Sequence, residues 1–285
     1  MFDFKDKVAF VTGGAGGIGN GIAKALADRG CKVALADINA DQLNAALQAL
    51  PGEGAAVVLD VRSYDAWAAA KAETEERLGP VSILVNCAGI MDKPSIPMSK
   101  RGLVDYTKDQ WDRMIGISLT GTGYGIMTFG PGIRDRGVGH IVNTASTQGL
   151  IPTRGVACYS ASKFGIVALT EALRDELANT DVGVSVLIPG VVASNLVVNA
   201  MKEEGREVPA GYKMKGMPPE QVGDIVAEGI RKNNPYIITH GEYRKCCEDR
   251  FVRISAAFTE APVSEDYDPS KPMRGTREWA NAQPY

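Results

Sequence analysis

The chain has 285 residues, 45% hydrophobic and 23% charged, with a formal net charge of −3. This is ordinary globular composition with ample length for a core, and nothing in the charge balance attracts nucleic acid or an anionic membrane surface. No apolar run reaches the roughly 18 residues of a membrane span, the first residues lack the basic-then-apolar order of a signal peptide, and five cysteines without C-x-x-C spacing fit reduced thiols in a cytoplasm.

The predicted elements alternate along the chain. KVAFVT (7–12) reads as a strand; the helix after it carries Ile18, Ile22 and Leu26 every four residues and closes at Gly30. KVALAD (32–37) is a second strand and ADQLNAALQAL (40–50) a second helix. AAVVLDV (55–61) is a third strand, followed by a helix over 64–78. VSILVN (81–86) is a fourth, and after an insertion at 90–106 a long helical stretch runs from Lys108 to Phe129. HIVNTAS (140–146) is a fifth strand, a helix begins within ACYSASKFG (157–165), GVSVLIPG (183–190) is a sixth strand and PYIIT (235–239) a candidate seventh. Continuous apolar strands alternating with helices predict an α/β protein whose parallel sheet is covered on both faces. The regularity predicts one domain over 1–258. Residues 259–285, rich in Pro and charge and without periodicity, are expected to form an extended arm or tail.

The first strand runs into its helix through VTGGAGGIGNGIA, with T-G-x-x-x-G-x-G spacing at Thr12, Gly13, Gly17 and Gly19, and Ile18 inside it. Glycines there permit a tight turn and a close approach of pyrophosphate to backbone amides at the positive end of a helix. Asp37, ending the second strand, can accept from adenosine ribose hydroxyls and would repel a 2′-phosphate, which favours NAD over NADP. Asp60 and Val61 are placed for the adenine edge. Asn86, Ala88 and Gly89, in NCAG, are small enough for backbone to approach a cofactor.

Tyr159 and Lys163 stand four residues apart with only small residues between them, so on a helix they share a face. A free phenol is a poor base at neutral pH, and a neighbouring cation favours the phenolate. Thirteen residues earlier, Ser146 ends the fifth strand. The glycine loop, N-x-A-G at 86–89, Ser146, Y-x-x-x-K at 159–163 and Pro189-Gly190 come in an order and spacing that resembles the short-chain dehydrogenase/reductase family over about residues 5 to 258.

The resemblance implies a single Rossmann-type, doubly wound sheet of about seven strands, assembled as a homotetramer or dimer. It implies NAD-linked hydride transfer with a small-molecule alcohol or ketone. Tyr159 would be the acid/base, Lys163 would serve it and the nicotinamide ribose, and Ser146 would hold the substrate oxygen. Gly13, Gly17, Ile18, Gly19, Asp37, Asp60, Val61, Asn86, Ala88, Gly89, Pro189, Gly190 and Val192 would line the cofactor. The family's relay asparagine in the long helix is replaced by Ser118; a serine that still holds water and a rearranged relay both stay open. No metal is expected, since the two histidines, His140 and His240, lie far apart in sequence; His240 reads as structural.

The substrate side is expected from a lid at about 191–218, with Leu196, Val197, Met201, Tyr212, Met214 and Met217, and from Ile90, Met91, Ile96 and Met98 of the insertion. These residues suit a bulky hydrophobic or aryl group if they face the cleft; packing on the protein's own core is the other reading. Residues 233–258 loosely resemble a branch of the family that includes bacterial dehydrogenases of lignin-derived aryl alcohols. A nucleotide-binding regulatory or scaffold protein that lost turnover is the alternative function; Ser118 is its one support.

Overall fold

Seven strands, β1 (Val8–Thr12), β2 (Lys32–Asp37), β3 (Gly54–Val58), β4 (Val81–Asn86), β5 (Val138–Thr144), β6 (Asp181–Ile188) and β7 (Tyr236–Ile238), form one sheet in the order β3-β2-β1-β4-β5-β6-β7. Every neighbouring pair is parallel. The chain starts mid-sheet, winds outward to β3, returns beside β1 at β4 and winds the other way. The reversal between β1 and β4 leaves a crevice at their C-terminal ends, where open α/β sheets bind ligands. The computed structural model describes residues 2–91, 102–194, 196, 201, 207, 214–265, 267, 268, 270 and 271.

Strand periodicity divides the core into two layers. In β1, Ala9 and Val11 join one cluster while Phe10 joins the other. The first layer packs the sheet against α1 (Gly17–Ala27), α2 (Ala40–Gln48) and α7 (Pro219–Arg231), through Ile22, Leu26, Leu43, Val222, Val226 and Ile230. The second packs it against α3 (Tyr64–Leu78) and α5 (Gly121–Asp135), where Trp67, Phe129 and Ile133 meet Phe10. Both faces are buried, which is why the strands read as continuous apolar runs. Side-chain caps fix several helix starts: the Asn39 side chain accepts from the Gln42 amide, Ser63 from Ala66, and Thr107 from Gln110 at the start of α4 (Lys108–Ile115).

The structure departs from the sequence reading at several elements; β5 ends at Thr144, so Ser146 lies beyond the strand it was expected to end. β3 stops at Val58, so Asp60 and Val61 lie beyond the strand. The predicted long helix is α4, a π-helical turn (Gly116–Thr120) and α5, which continues through Pro131 to Asp135. α7 carried no prediction, although Pro219 at its start and Val222, Val226 and Ile230 at fourfold spacing are helix signals. Residues Met1–Gly241 form one compact unit and Glu242–Tyr285 a second. The second contains α8 (Arg244–Thr259), which the sequence reading left unassigned, and α6 (Ala157–Glu176) of the first carries Tyr159 and Lys163.

Candidate active site

β1 delivers Thr12 to the sheet reversal. Its hydroxyl accepts from the Cys87 amide at 2.9 Å and the Ala88 amide at 3.0 Å, which ties the glycine loop to the end of β4. Gly13 has φ +68°, and a Cβ on it would lie 3.2 Å from Ala88 backbone. A Cβ on Gly19 would lie 2.3 Å from the Gly13 carbonyl oxygen. Only glycine fits these two close approaches. α1 begins at Gly17 after Gly16, which brings no side-chain cap to the first-turn amides of Gly17, Ile18 and Gly19. Uncapped amides at the positive helix end suit a pyrophosphate.

Asp37 turns its carboxylate into this loop. It accepts from the Ala15 amide at 3.4 Å and from the Asn39 amide at 3.1 Å. Asp60, two residues beyond β3, is gripped by Arg62: the guanidinium reaches both carboxylate oxygens, from 2.6 to 3.1 Å. That contact holds the Asp60 carboxyl below its usual range. Val61 is buried, and its carbonyl accepts from the Trp67 indole at 3.0 Å. Asn86 is buried and donates to Asn143 Oδ1 at 2.8 Å; Asn143 in turn donates to Thr170 at 3.1 Å. Asn86 therefore braces the sheet beneath the crevice, while Ala88 and Gly89 form its surface.

α6 presents Tyr159 and Lys163 at the crevice, both buried. The Lys163 ammonium lies 5.5 Å from the Tyr159 ring centroid and donates to the Thr144 carbonyl at 2.8 Å. Burial pushes its pKa down to about 8, opposed by the nearby Cys87 thiol. A Cβ on Gly89 would lie 3.6 Å from Lys163 Nζ and 3.7 Å from Ser118 Oγ. Gly89 thus faces an ammonium on one side and a hydroxyl on the other. The Thr144 hydroxyl is also buried, beside the Cys87 thiol. The π-helical turn carries Ser118 to this place, where its hydroxyl contacts Met114 Sδ at 3.8 Å. π turns recur at functional sites because they re-aim side chains out of helical register.

Ser146 accepts from the Gln148 amide at 3.2 Å and donates to the Pro189 carbonyl at 3.4 Å. The turn after it is locked onto α6: Ser160 bonds Gln148 at 3.2 Å, and a Cβ on Gly149 would lie 2.7 Å from the Lys163 carbonyl oxygen. Pro189, Gly190 and buried Val192 follow β6. A Cβ on Gly17 would lie 3.3 Å from Ser194 Cβ, so this loop reaches the glycine loop.

On the substrate side, Ile90, Met91 and Tyr106 pack with Met114, Val156, Cys158 and Tyr159. Cys158 is fully buried there. Met217 packs against the protein's own core instead. Leu196, Met201 and Met214 are half-buried. Val197, Tyr212, Ile96 and Met98 lie outside the described residues. The sequence reading missed Thr144, whose carbonyl receives Lys163, and the fork of Arg62 on Asp60; the "D-x-R" spacing of the latter was visible. Among the described residues no three His, Cys, Asp or Glu side chains converge as a metal site, and no helix is long and apolar enough to cross a membrane.

Residues 7–205 match the short chain dehydrogenase family. The chain belongs to that family. As a short-chain dehydrogenase it is 32% identical over 284 residues to a C alpha-dehydrogenase of Sphingobium sp., covering 93% of this chain and 90% of that one. Among solved structures, a putative short-chain dehydrogenase from Novosphingobium aromaticivorans superposes with a TM-score of 0.81 at 32% identity, covering 95% of this chain and 93% of that one. A short chain dehydrogenase/reductase from Burkholderia phymatum in complex with NAD gives 0.80 at 27% identity, covering 93% and 100%. This short-chain dehydrogenase is therefore an oxidoreductase by family, with the family's seven-stranded sheet.

Proposed function

We propose that the protein is an NAD-dependent dehydrogenase of secondary alcohols, or in reverse a ketone reductase, acting on a bulky hydrophobic or aryl substrate. The observation that carries the reading is the buried Lys163 ammonium set 5.5 Å from the Tyr159 ring and beside Gly89. NAD supplies the hydride acceptor. Gly13, Gly17, Ile18 and Gly19 hold the pyrophosphate, Asp37 the adenosine ribose, Asp60 and Val61 the adenine, and Lys163 with Ala88 and Gly89 the nicotinamide ribose. Asn86 acts from below as a brace. Pro189, Gly190 and Val192 cover the nicotinamide.

Ser146 donates its hydroxyl to the substrate oxygen in place of the Pro189 carbonyl. Tyr159, as phenolate beside the Lys163 cation, takes the alcohol proton while the carbinol hydrogen leaves with its electron pair; the alcohol becomes a ketone and one proton is released. Ser118 keeps a hydroxyl at the relay position. The packing of Ile90, Met91 and Tyr106 around Tyr159 supports an apolar group beside the carbinol carbon. The scaffold alternative gains no support from this arrangement. A cytoplasmic homo-oligomer, dimer or tetramer, belongs to the same reading.

The test is NADH formation with a panel of aryl, polycyclic, short-chain and hydroxy-acid substrates. An aryl or polycyclic secondary alcohol should have the highest kcat/KM; a short or charged substrate winning by about tenfold would leave only the hydride chemistry standing. With the best substrate, NAD should exceed NADP by at least ~10-fold in kcat/KM, because Asp37 meets the 2′ position. Equal efficiency would remove Asp37 from that role.

A further inference from the structure

His240 follows the edge strand β7, fifty positions beyond Gly190, yet its ring is bonded on both sides to the loop that leaves β6. The Gly190 amide donates to Nδ1 at 3.1 Å. The Thr239 hydroxyl lies 2.6 Å from the same nitrogen. A backbone amide can only donate, so Nδ1 carries the lone pair and the proton sits on Nε2. Nε2–H then donates to the Val191 carbonyl at 3.1 Å. In this tautomer the single Nδ1 lone pair faces the Gly190 amide and the Thr239 hydroxyl, and Nε2–H faces the Val191 carbonyl. A Cβ on Gly190 would lie 2.7 Å from His240 Cγ, so the imidazole lies against bare backbone and glycine is required beneath it.

The loop is also tied on its other side. Val191 O accepts from the Met217 amide at 3.0 Å, and the Ala193 amide donates to Met217 O at 2.9 Å, which makes the parallel bridge of Val192 with Met217. His240 and Met217 thus share the Val191 carbonyl, one on each lone pair. Three residues beyond Val191, Ser194 reaches the Gly17 turn. A shift of Gly190 and Val191 therefore changes how the backbone from Val192 to Ser194 sits over the crevice.

We propose that His240 is a positioning residue for the nicotinamide end of the cofactor: its ring fixes the backbone of Gly190 and Val191 from both sides, and so the height of the covering loop. It touches neither cofactor nor substrate and acts through that loop. The inference rests on the proposed NAD site.

The test compares NADH with ADP-ribose, which has the same adenosine and pyrophosphate but no nicotinamide. Binding of each is measured by calorimetry on the parent and on His240→Ala, His240→Asn and His240→Gln. The His240→Asn variant offers an acceptor near the Nδ1 position for the Gly190 amide, and His240→Gln a donor near the Nε2 position for the Val191 carbonyl. We expect His240→Ala to weaken NADH about tenfold while leaving ADP-ribose within about twofold, since one or two hydrogen bonds are lost at the nicotinamide end alone. The Asn and Gln variants should recover part of the loss, and the bound-NADH fluorescence should shift in the Ala variant. Equal losses for both ligands, or no loss for either, would overturn the role of His240 while the parent's NADH binding leaves the cofactor reading intact. A parent that binds neither ligand would overturn both. Should the Ala variant fail to fold, the Asn and Gln variants decide by the same NADH to ADP-ribose ratio.

Discussion

Tyr159 and Lys163 make the sharpest single-residue expectations. Tyr159→Phe keeps the ring that packs with Met114 and Val156 but removes the proton carrier. Turnover should fall by roughly 10² or more while NADH titration stays near the parent value; a variant that turns over normally would take Tyr159 out of the acid/base role. Lys163 sets a pH limit. Burial holds its ammonium at about 8, below its unfolded value of 10.5, so the charge is present below that pH and is lost as pH rises through it. The free enzyme's kcat/KM should therefore decline above about pH 8. In Lys163→Arg, whose guanidinium stays charged, the alkaline limb should move upward even as the rate drops. An unmoved limb would assign it to another group. Their shared helix was legible in the sequence because the four-residue spacing encodes one helix face. His240 was not. A lone histidine fifty positions beyond Gly190 gives no periodic signal, and its two backbone partners come from the meeting of β6 and β7, which only the folded sheet creates.

At the scale of elements, strands and glycine turns were readable because both faces of the sheet are buried and each strand is a plain apolar run. Helix interruptions were harder. The π-helical turn at Gly116–Thr120 contains no proline and no charged residue; its register is set by tertiary neighbours, with Leu119 against Gly165 and Gly121 against Val61. α7 was hidden by Gly223 and Gly229, which look like breakers. Gly223 is there for packing: a Cβ on it would lie 2.1 Å from the Gly21 carbonyl oxygen in α1, and a Cβ on Gly21 would lie 2.1 Å from the Pro219 carbonyl oxygen in α7. Gly223→Ala should thus force the two helices apart and cost about 1–3 kcal/mol, seen as a lower Tm. Gly123→Ala in α5 is the matched control. Its Cβ would meet only Met127 Cε at 3.9 Å, so removing backbone freedom should raise Tm slightly, by about 0.5–1 kcal/mol in stability. The same sign for both substitutions would refute the packing account.

For the whole molecule, acid stability has a buried source. His140 is enclosed between β5 and β6, donates Nε2–H to Ser185 at 2.8 Å, and stays neutral because burial pushes its pKa down to about 3. The unfolded chain takes up that proton near 6.5 and the folded one does not. The contribution is complete above about 6.5 and shrinks steadily as pH falls toward about 3. His140→Leu leaves Ser185 bonded to the Asn234 carbonyl at 2.5 Å. Its Tm should depend less on pH than the parent's across that window, whatever its value at neutral pH; parallel curves would show that His140 is not the titrating group. Overall topology was legible from the alternation of strand and helix, whereas the division at Gly241 was not, because composition changes only later along the chain. At the bridge of Val192 with Met217 the chain departs and returns at neighbouring backbone positions, so the bridge closes a loop whose length and sequence can vary without moving its ends. Doubling the length of such a loop costs only about 0.6 kcal/mol in closure entropy. In the proposed site, swapping this piece changes what the enzyme admits, while Ser146 beyond β5 and Tyr159 and Lys163 on α6 stay where they are.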